Sequence, residues 1–445
     1  MALAHPVIVV PGITAAYLDD QYALPPETIW SVLSKDYKRA SLHPDAPLLP
    51  DRQQFEAIEP ALVRPGQLFE IAYKELIEEL RFNLRDKEDE PVPVYPFGYD
   101  WRQPVELSAR ELGRLVDEVI ERTKLMRHYD RAGYAGDPKV NLVGHSMGGL
   151  VIAHYLDQAR QNARVDRVVS LATPFRGSFE AVIKVATGTA GLGTSVPSSR
   201  EREAARVTPA LYHLFPDIPG AVEVGDPAIP SDLFDSAAWQ PSIVETMKEY
   251  IRLYARKPGN STEQMRQARE LFARLLAAAK AGRARLNAFD LAAAGLSDDR
   301  WLCIVGVDSE TRVKLEIGKR GASPEFVFRS EHRKNEWGNA DAGERVATGD
   351  GTVPLLGALP SFLRREQIVC VRPDDFGYWE IADKVALAVA GFHGIVPNMN
   401  MLHRLIVRYF KNKTDSRQNT WGRQLPGVAR AAWKPPLRGG LAYKD

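Results

Sequence analysis

One short segment, Val140-Asn-Leu-Val-Gly144-His-Ser146-Met-Gly148-Gly149, restricts what this chain can fold into more than any other. A four-residue, mostly apolar strand pattern runs into a glycine, and Ser146 stands between Gly144 and Gly148 in a G-x-S-x-G spacing. A serine held on a sharp strand-to-helix turn leaves no room for side chains at the flanking positions. The bare pattern is weak, since ordinary glycine and serine usage supplies roughly 0.15 chance matches in a chain of this size. Context makes it specific. The segment follows a strand pattern and opens a helical one, Met147 to Gln161, so the positive end of a helix dipole lies where an oxyanion would develop. Ser146 is the expected nucleophile, and the backbone N–H of Met147 the first oxyanion-hole donor.

The rest of the chain supports the same architecture. Short apolar runs at Val7 to Val10, Val92 to Tyr95, Val140 to Val143, Val168 to Ala172, Trp301 to Val307 and Gln367 to Val371 read as buried strands. Amphipathic stretches separate them, among them Leu112, Leu115, Val116, Val119 and Ile120, and later Leu402, Leu405, Ile406, Tyr409 and Phe410. This alternation predicts an α/β fold with a mostly parallel central sheet flanked by helices, and with the serine turn it predicts an α/β-hydrolase core. From about Phe175 to Arg300 the alternation stops and helical patterns without a strong strand take over. We read residues 1–174 and 301–410 as a discontinuous core and 175–300 as a helical cap. Ile13 to Gly66 is a second, Pro-rich insertion, too long for an ordinary connection. Residues 411–445 form a basic tail, with Lys411, Lys413, Arg417, Arg423, Arg430, Lys434, Arg438 and Lys444 around Trp421 and Trp433. A solvated or loosely docked tail is the plain reading of it, and a membrane-surface or partner contact the sharper one.

Composition removes several function classes. Lys plus Arg number 58 against 57 Asp plus Glu, which leaves no electrostatic footprint for nucleic acid. Two cysteines, Cys303 and Cys370, cannot make a disulfide framework or a structural zinc cluster. The sequence starts without the basic and apolar regions of a signal peptide and holds no run of about 18 apolar residues, so the expectation is a cytoplasmic protein without a membrane span. No metal or organic cofactor is implied. The oligomeric state is not readable.

In this fold the acid and the base follow the serine in that order. His393, in the Gly-flanked loop Gly391-Phe-His-Gly394, is the expected base. His403 falls within the apolar helix pattern Met401 to Phe410, and His332 lies in a highly charged stretch. For the acid, Asp350 in Thr348-Gly-Asp-Gly-Thr-Val-Pro354 stands out, because flanking glycines let the backbone turn a carboxylate back toward an imidazole. Asp308 competes, while Asp374 and Asp375 follow the last strand. The loop after the first strand, Pro11-Gly12-Ile13, is expected to give the second oxyanion donor through the N–H of Ile13.

Five segments resemble the lecithin:cholesterol acyltransferase and lysosomal phospholipase family of α/β-hydrolases. They are His5-Pro-Val-Ile-Val-Val-Pro-Gly12, Tyr99-Asp-Trp-Arg102, Gly144-His-Ser-Met-Gly-Gly149, Leu171-Ala-Thr-Pro-Phe-Arg-Gly-Ser178 followed by Tyr212-His-Leu-Phe-Pro216, and Gly349-Asp-Gly-Thr-Val-Pro354. Carried over by position, the resemblance implies Ser146, Asp350 and His393 as a catalytic triad, and a phospholipid or other long-chain lipid ester as substrate. The chain departs from those relatives in lacking paired cysteines and in matching only loosely around His393. The expected activity is that of a lipase or phospholipase working through an acyl-enzyme. A lipid O-acyltransferase using the same three residues is the alternative, and a catalytically silent fold used for binding or membrane docking is another.

Overall fold

The computed structural model describes residues 3–45, 56–58, 60–188, 198–329, 349–377 and 391–444. His332, the apolar stretch Ile381 to Ala390 and most of Thr187 to Ser199 lie outside them.

Six parallel strands form the central sheet: β1 (Val7–Val10), β5 (Val94–Pro96), β6 (Val140–His145), β7 (Val165–Leu171), β9 (Trp301–Gly306) and β12 (Val369–Val371). Their order is β12-β9-β7-β6-β1-β5. β1, β6 and β9 are buried at every residue, as strands covered by helices on both faces must be. The chain steps outward from β1 to β5, returns across it to β6, and then runs steadily to β12. Strand order therefore reverses between β1 and β6, which leaves a crevice at their carboxyl ends. Both the turn after β1 and Ser146 emerge at that crevice.

Four helices support the sheet: α1 (Glu70–Leu84), α2 (Val105–Lys124), α3 (Met147–Ala159) and a late helix, α8 (Asn400–Phe410). Leu112, Val116, Val119 and Ile120 of α2 are fully buried, and Leu115 lies at the margin of that stripe. Between β7 and β9 come α4 (Phe179–Thr187), α5 (Ser199–Val207), α6 (Ser242–Tyr254) and α7 (Ser261–Asn287). The apolar stripe Ile243, Met247, Tyr250 and Ile251 of α6 is buried, and α6 packs against α5 and α7. This stripe is core of the helical region, not an open surface for an acyl chain.

Two small sheets stand where the sequence pattern shows no strands. Residues 13–68 hold β2 (Ala16–Asp20), β3 (Glu27–Trp30) and β4 (Val63–Leu68), paired antiparallel in the order β3-β2-β4. In the second, β10 (Leu315–Arg320) pairs antiparallel with β11 (Ser323–Val327) and parallel with β8 (Val222–Val224). That pairing joins the helical region to the segment after β9.

The tail is docked. Backbone hydrogen bonds run both ways between Cys370 of β12 and Arg423 (2.9 and 3.1 Å). The short pair β13 (Trp421–Gly422) and β14 (Ala442–Tyr443) follows. Trp433 donates its indole N–H to the Ile368 carbonyl at 2.9 Å, and Arg423 reaches the buried Asp375 carboxylate at 2.6 Å. Among the described residues no helix is long and apolar enough to cross a membrane.

Candidate active site

Ser146 follows the last residue of β6 and caps α3 with φ +53° and ψ −127°, a conformation that costs energy in any L-residue. The neighbouring glycines make the turn possible. A Cβ on Gly144 would lie 2.7 Å from the Gly149 nitrogen, and one on Gly148 would strike the carbonyl oxygens of Val10 and Pro11. At Gly148 the nucleophile turn and the loop after β1 thus meet backbone to backbone. Gly12 closes the contact from the other side, where a Cβ would sit 3.0 Å from Ser146 Cβ.

His393 lies across the serine, with Nε2 2.8 Å from Ser146 Oγ and Nδ1 2.7 Å from Asp350 Oδ2. Asp350 is fixed by its own loop. Its Oδ1 accepts from the backbone N–H groups of Thr352 (2.9 Å) and Val353 (2.7 Å), and the His393 N–H donates to its carbonyl at 3.0 Å. Gly351 turns the chain at φ +94°, and its N–H is held by Thr311 Oγ1 at 2.9 Å. Gly306, at the end of β9, leaves the space: a Cβ there would fall 2.6 Å from Asp350 Cβ. Ser146, His393 and Asp350 are therefore brought together from three separate loops at the carboxyl edge of the sheet.

The competing residues are elsewhere. Asp308 pairs with Arg372 at 3.3 Å. Asp375 is buried with Arg423 and Lys444. His403 donates from Nε2 to the carbonyl of Pro397, in the turn just before its helix, at 2.6 Å. Met147 is the first residue of α3 and fully buried, and Ile13 is half-buried in the loop beside Ser146. No group of three or more His, Cys, Asp or Glu able to hold a metal occurs among the described residues.

Sequence reasoning missed two residues that complete the surroundings. Tyr73 of α1 accepts the Gly12 N–H at 2.9 Å and donates its hydroxyl to His145 Nδ1 at 2.7 Å. His145 then donates from Nε2 to the His393 carbonyl at 2.9 Å. A carbonyl can only accept, so the proton sits on Nε2 and Nδ1 is left to accept from Tyr73. Burial, reinforced by the charge on His393, lowers the His145 pKa to about 3, so this ring is neutral at pH 7. His145 lies inside the serine motif and could have been flagged there. Tyr73 is one apolar position on an amphipathic helix and carries no signal of its own.

The Tyr99–Arg102 motif braces the same loop. Tyr99 donates its hydroxyl to the Pro11 carbonyl at 2.9 Å, and Trp101 donates its indole N–H to Ala16 at 3.3 Å. Arg102 grips Asp100 (2.7 Å) and Glu56 (2.9 Å) in a buried cluster.

The family model for lecithin:cholesterol acyltransferase matches residues 44–265, about half of the chain. That stretch includes the Tyr99–Arg102 motif and the serine turn but neither Asp350 nor His393. No curated protein matches the chain. Among solved structures it is similar to the Tle4 and Tli4 complex, at 16% identity and TM-score 0.48, with 80% of this chain and 88% of that chain covered. It is also similar to phospholipase PlaB from Legionella pneumophila in complex with thio-NAD, at 12% identity and TM-score 0.30, covering 73% of this chain and 48% of that one. The chain is thus a serine hydrolase or acyltransferase of the lecithin:cholesterol acyltransferase-like family of α/β-hydrolases.

Proposed function

We propose that the protein is a lipase or phospholipase that cleaves long-chain lipid esters through an acyl-enzyme on Ser146. The observation that carries this reading is the continuous hydrogen-bonded line from Ser146 Oγ through His393 to Asp350, at 2.8 and 2.7 Å. His393 Nε2 takes the serine proton as Oγ attacks the ester carbonyl, and Asp350 holds the ring tautomer and stabilises the imidazolium that forms. The N–H groups of Met147 and Ile13, with the α3 dipole behind the first, bind the oxyanion. Collapse of the tetrahedral adduct expels the alcohol, which takes the proton from His393. Water then repeats the sequence on the acyl-enzyme. A lipid alcohol in place of water would give acyl transfer by the same steps.

In this reading residues 1–174 and 301–410 make the catalytic core and 175–300 its cap. Residues 411–445 serve packing, since Trp421 bonds to Asp375 and Trp433 to Ile368. The family match favours a lipid acyl donor.

The test is hydrolysis of p-nitrophenyl esters of increasing chain length by wild type and Ser146→Ala, with fluorophosphonate labelling alongside. Labelling lost in the variant and turnover rising with chain length support the reading. Equal labelling of both proteins refutes it. Phospholipid vesicles with and without a long-chain alcohol then separate free fatty acid from a new ester as product.

A further inference from the structure

The geometry points to Tyr73 and His145 as positioning residues that lock the oxyanion loop and the base loop into one register, so that the attack line and the oxyanion donors stay aligned together. The inference rests on the reading of Ser146 and His393 given above and extends it to two groups that touch neither substrate nor reacting atoms.

Four elements meet here: the loop after β1, helix α1, the end of β6 and the loop bearing His393. One directed chain of hydrogen bonds crosses all of them. The Gly12 N–H donates to Tyr73, the Tyr73 hydroxyl donates to His145 Nδ1, and His145 Nε2–H donates to the His393 carbonyl, at 2.9, 2.7 and 2.9 Å. Each member has one donor and one acceptor used, so the order of the protons is fixed once either end is fixed. The side chain of Tyr73 is 1% exposed and that of His145 belongs to a residue 4% exposed, which leaves water no part in the chain.

The two ends matter. Gly12 precedes Ile13, whose N–H is assigned to the oxyanion, and it lies against Ser146 itself. His393 carries the base on its side chain while its carbonyl receives His145. The His145 and His393 rings lie 5.2 Å apart. Nothing else described holds the Gly12 amide, and the loop bearing His393 is otherwise fixed near the site by its N–H to Asp350. Ring neutrality fits the same burial that dries the chain: a protonated His145 would donate its second N–H to the Tyr73 oxygen, and the Tyr73 proton would then have to turn away from its partner inside a buried site.

The variants are Tyr73→Phe, His145→Gln, His145→Ala and the pair Tyr73→Phe with His145→Gln. Glutamine can reach the His393 carbonyl with its amide, as Nε2 does, and alanine cannot. Misplacement of reacting groups on the ångström scale costs up to about a hundredfold. We expect Tyr73→Phe to lower kcat about 10- to 100-fold on a short p-nitrophenyl ester with KM within about twofold, and to slow fluorophosphonate labelling in proportion. His145→Gln should retain more activity than His145→Ala. The double variant should be no worse than its worse single, because the two residues act as one unit. Full kcat in a folded Tyr73→Phe, or strictly additive losses, overturns the inference. So does a loss explained entirely by a smaller folded fraction. Ring 15N spectra of His145 give a test that needs no activity. A neutral Nε2–H ring from pH 5 to 8 is expected, and an Nδ1–H or protonated ring at pH 7 overturns the inference. If wild type resists labelling, the proposed function falls, and the 15N result still decides the hydrogen-bond chain.

Discussion

Replacing Arg102 by methionine removes a buried guanidinium at the joint between the β2–β4 sheet region and the central core. Arg102 donates through Nε and Nη2 to Asp100 (2.8 and 2.7 Å), through Nη1 to Glu56 (2.9 Å), and through Nη1 to the Ala40 carbonyl (3.0 Å). Its side chain is 1% exposed and that of Glu56 5%. Methionine fills most of the volume, so the loss is electrostatic and not a cavity. Breaking a buried pair by deleting one partner costs about 3–5 kcal/mol, mainly because the other charge stays buried. Burial pushes the Glu56 carboxyl up, with Arg102 acting against it. Without Arg102 that acid takes up a proton, which places the cost near 3 kcal/mol. Spread over a 445-residue chain at about 2.1 cal/mol/K per residue, it lowers Tm by only about 3 °C. Local opening is the sharper readout. Amide protection in Tyr37–Leu42 should fall about a hundredfold in hydrogen exchange, since 1.4 kcal/mol is tenfold. Arg102→Lys keeps a cation without the fork and should lose less. Adding Glu56→Gln to Arg102→Met should recover part of the loss. Unchanged exchange in Tyr37–Leu42 would refute the argument and assign the joint to apolar contacts such as Trp30 on Trp101, 4.7 Å apart.

Three further predictions follow from other contacts. Gly148→Ala should leave the protein folded but slow fluorophosphonate labelling about a hundredfold, because its methyl must displace the rigid Val10 and Pro11 carbonyls; labelling at the wild-type rate would contradict this. Burial lowers the pKa of His145 to about 3 and of His154 to about 4, against 6.5 when unfolded. The unfolded chain binds more protons in that window, so stability falls on acidification below pH 6.5, by about 2 kcal/mol per histidine at pH 5; equal urea midpoints at pH 7 and pH 5 would exclude it. Asp375→Asn leaves Arg423 and Lys444 facing a neutral, buried amide. Tail residues Trp421 to Lys444 should become sensitive to protease at an enzyme ratio that spares wild type, and an intact tail would count against the ion pairs as its anchor.

The central sheet was legible because its strands are buried on both faces and so spell continuous apolar runs. Val7–Val10 and Trp301–Gly306 stand in the sequence almost as they stand in the fold. At Val92 the run starts two residues early, since pairing with β1 begins at Val94. β2 and β4 were illegible for the opposite reason. Ala-Tyr-Leu-Asp-Asp and Val-Arg-Pro-Gly-Gln-Leu are half-exposed and carry acids, a proline and a glycine, residues that signal turns when burial does not override them. In the site, Ser146, Asp350 and His393 could be picked out by their glycines, because each needs a sharp turn to reach the others. Tyr73 needs no special backbone and only the folded contacts reveal it, while His145 sits inside the serine motif but shows its partners only in the fold. The tail was misjudged as loose because its basic residues look solvated until Asp375, far from it in sequence, is seen to receive them.

The hydrogen bonds between Cys370 and Arg423 have a consequence for how the molecule is made. β12 is the outermost strand of the sheet, and its free side is a row of backbone groups that any other extended segment could join. Among the described residues it is Arg423 that pairs with this edge, so during synthesis that contact is missing until residues 421–444 have left the ribosome. Until then the nascent chain carries a finished nucleophile turn beside an unprotected, sticky edge. A protein shortened at Phe410 would keep that edge for life and should self-associate, whatever its chemistry. Residues 421–444 thus protect the sheet as well as pack on it, by occupying the backbone position at Cys370 that another chain could otherwise take.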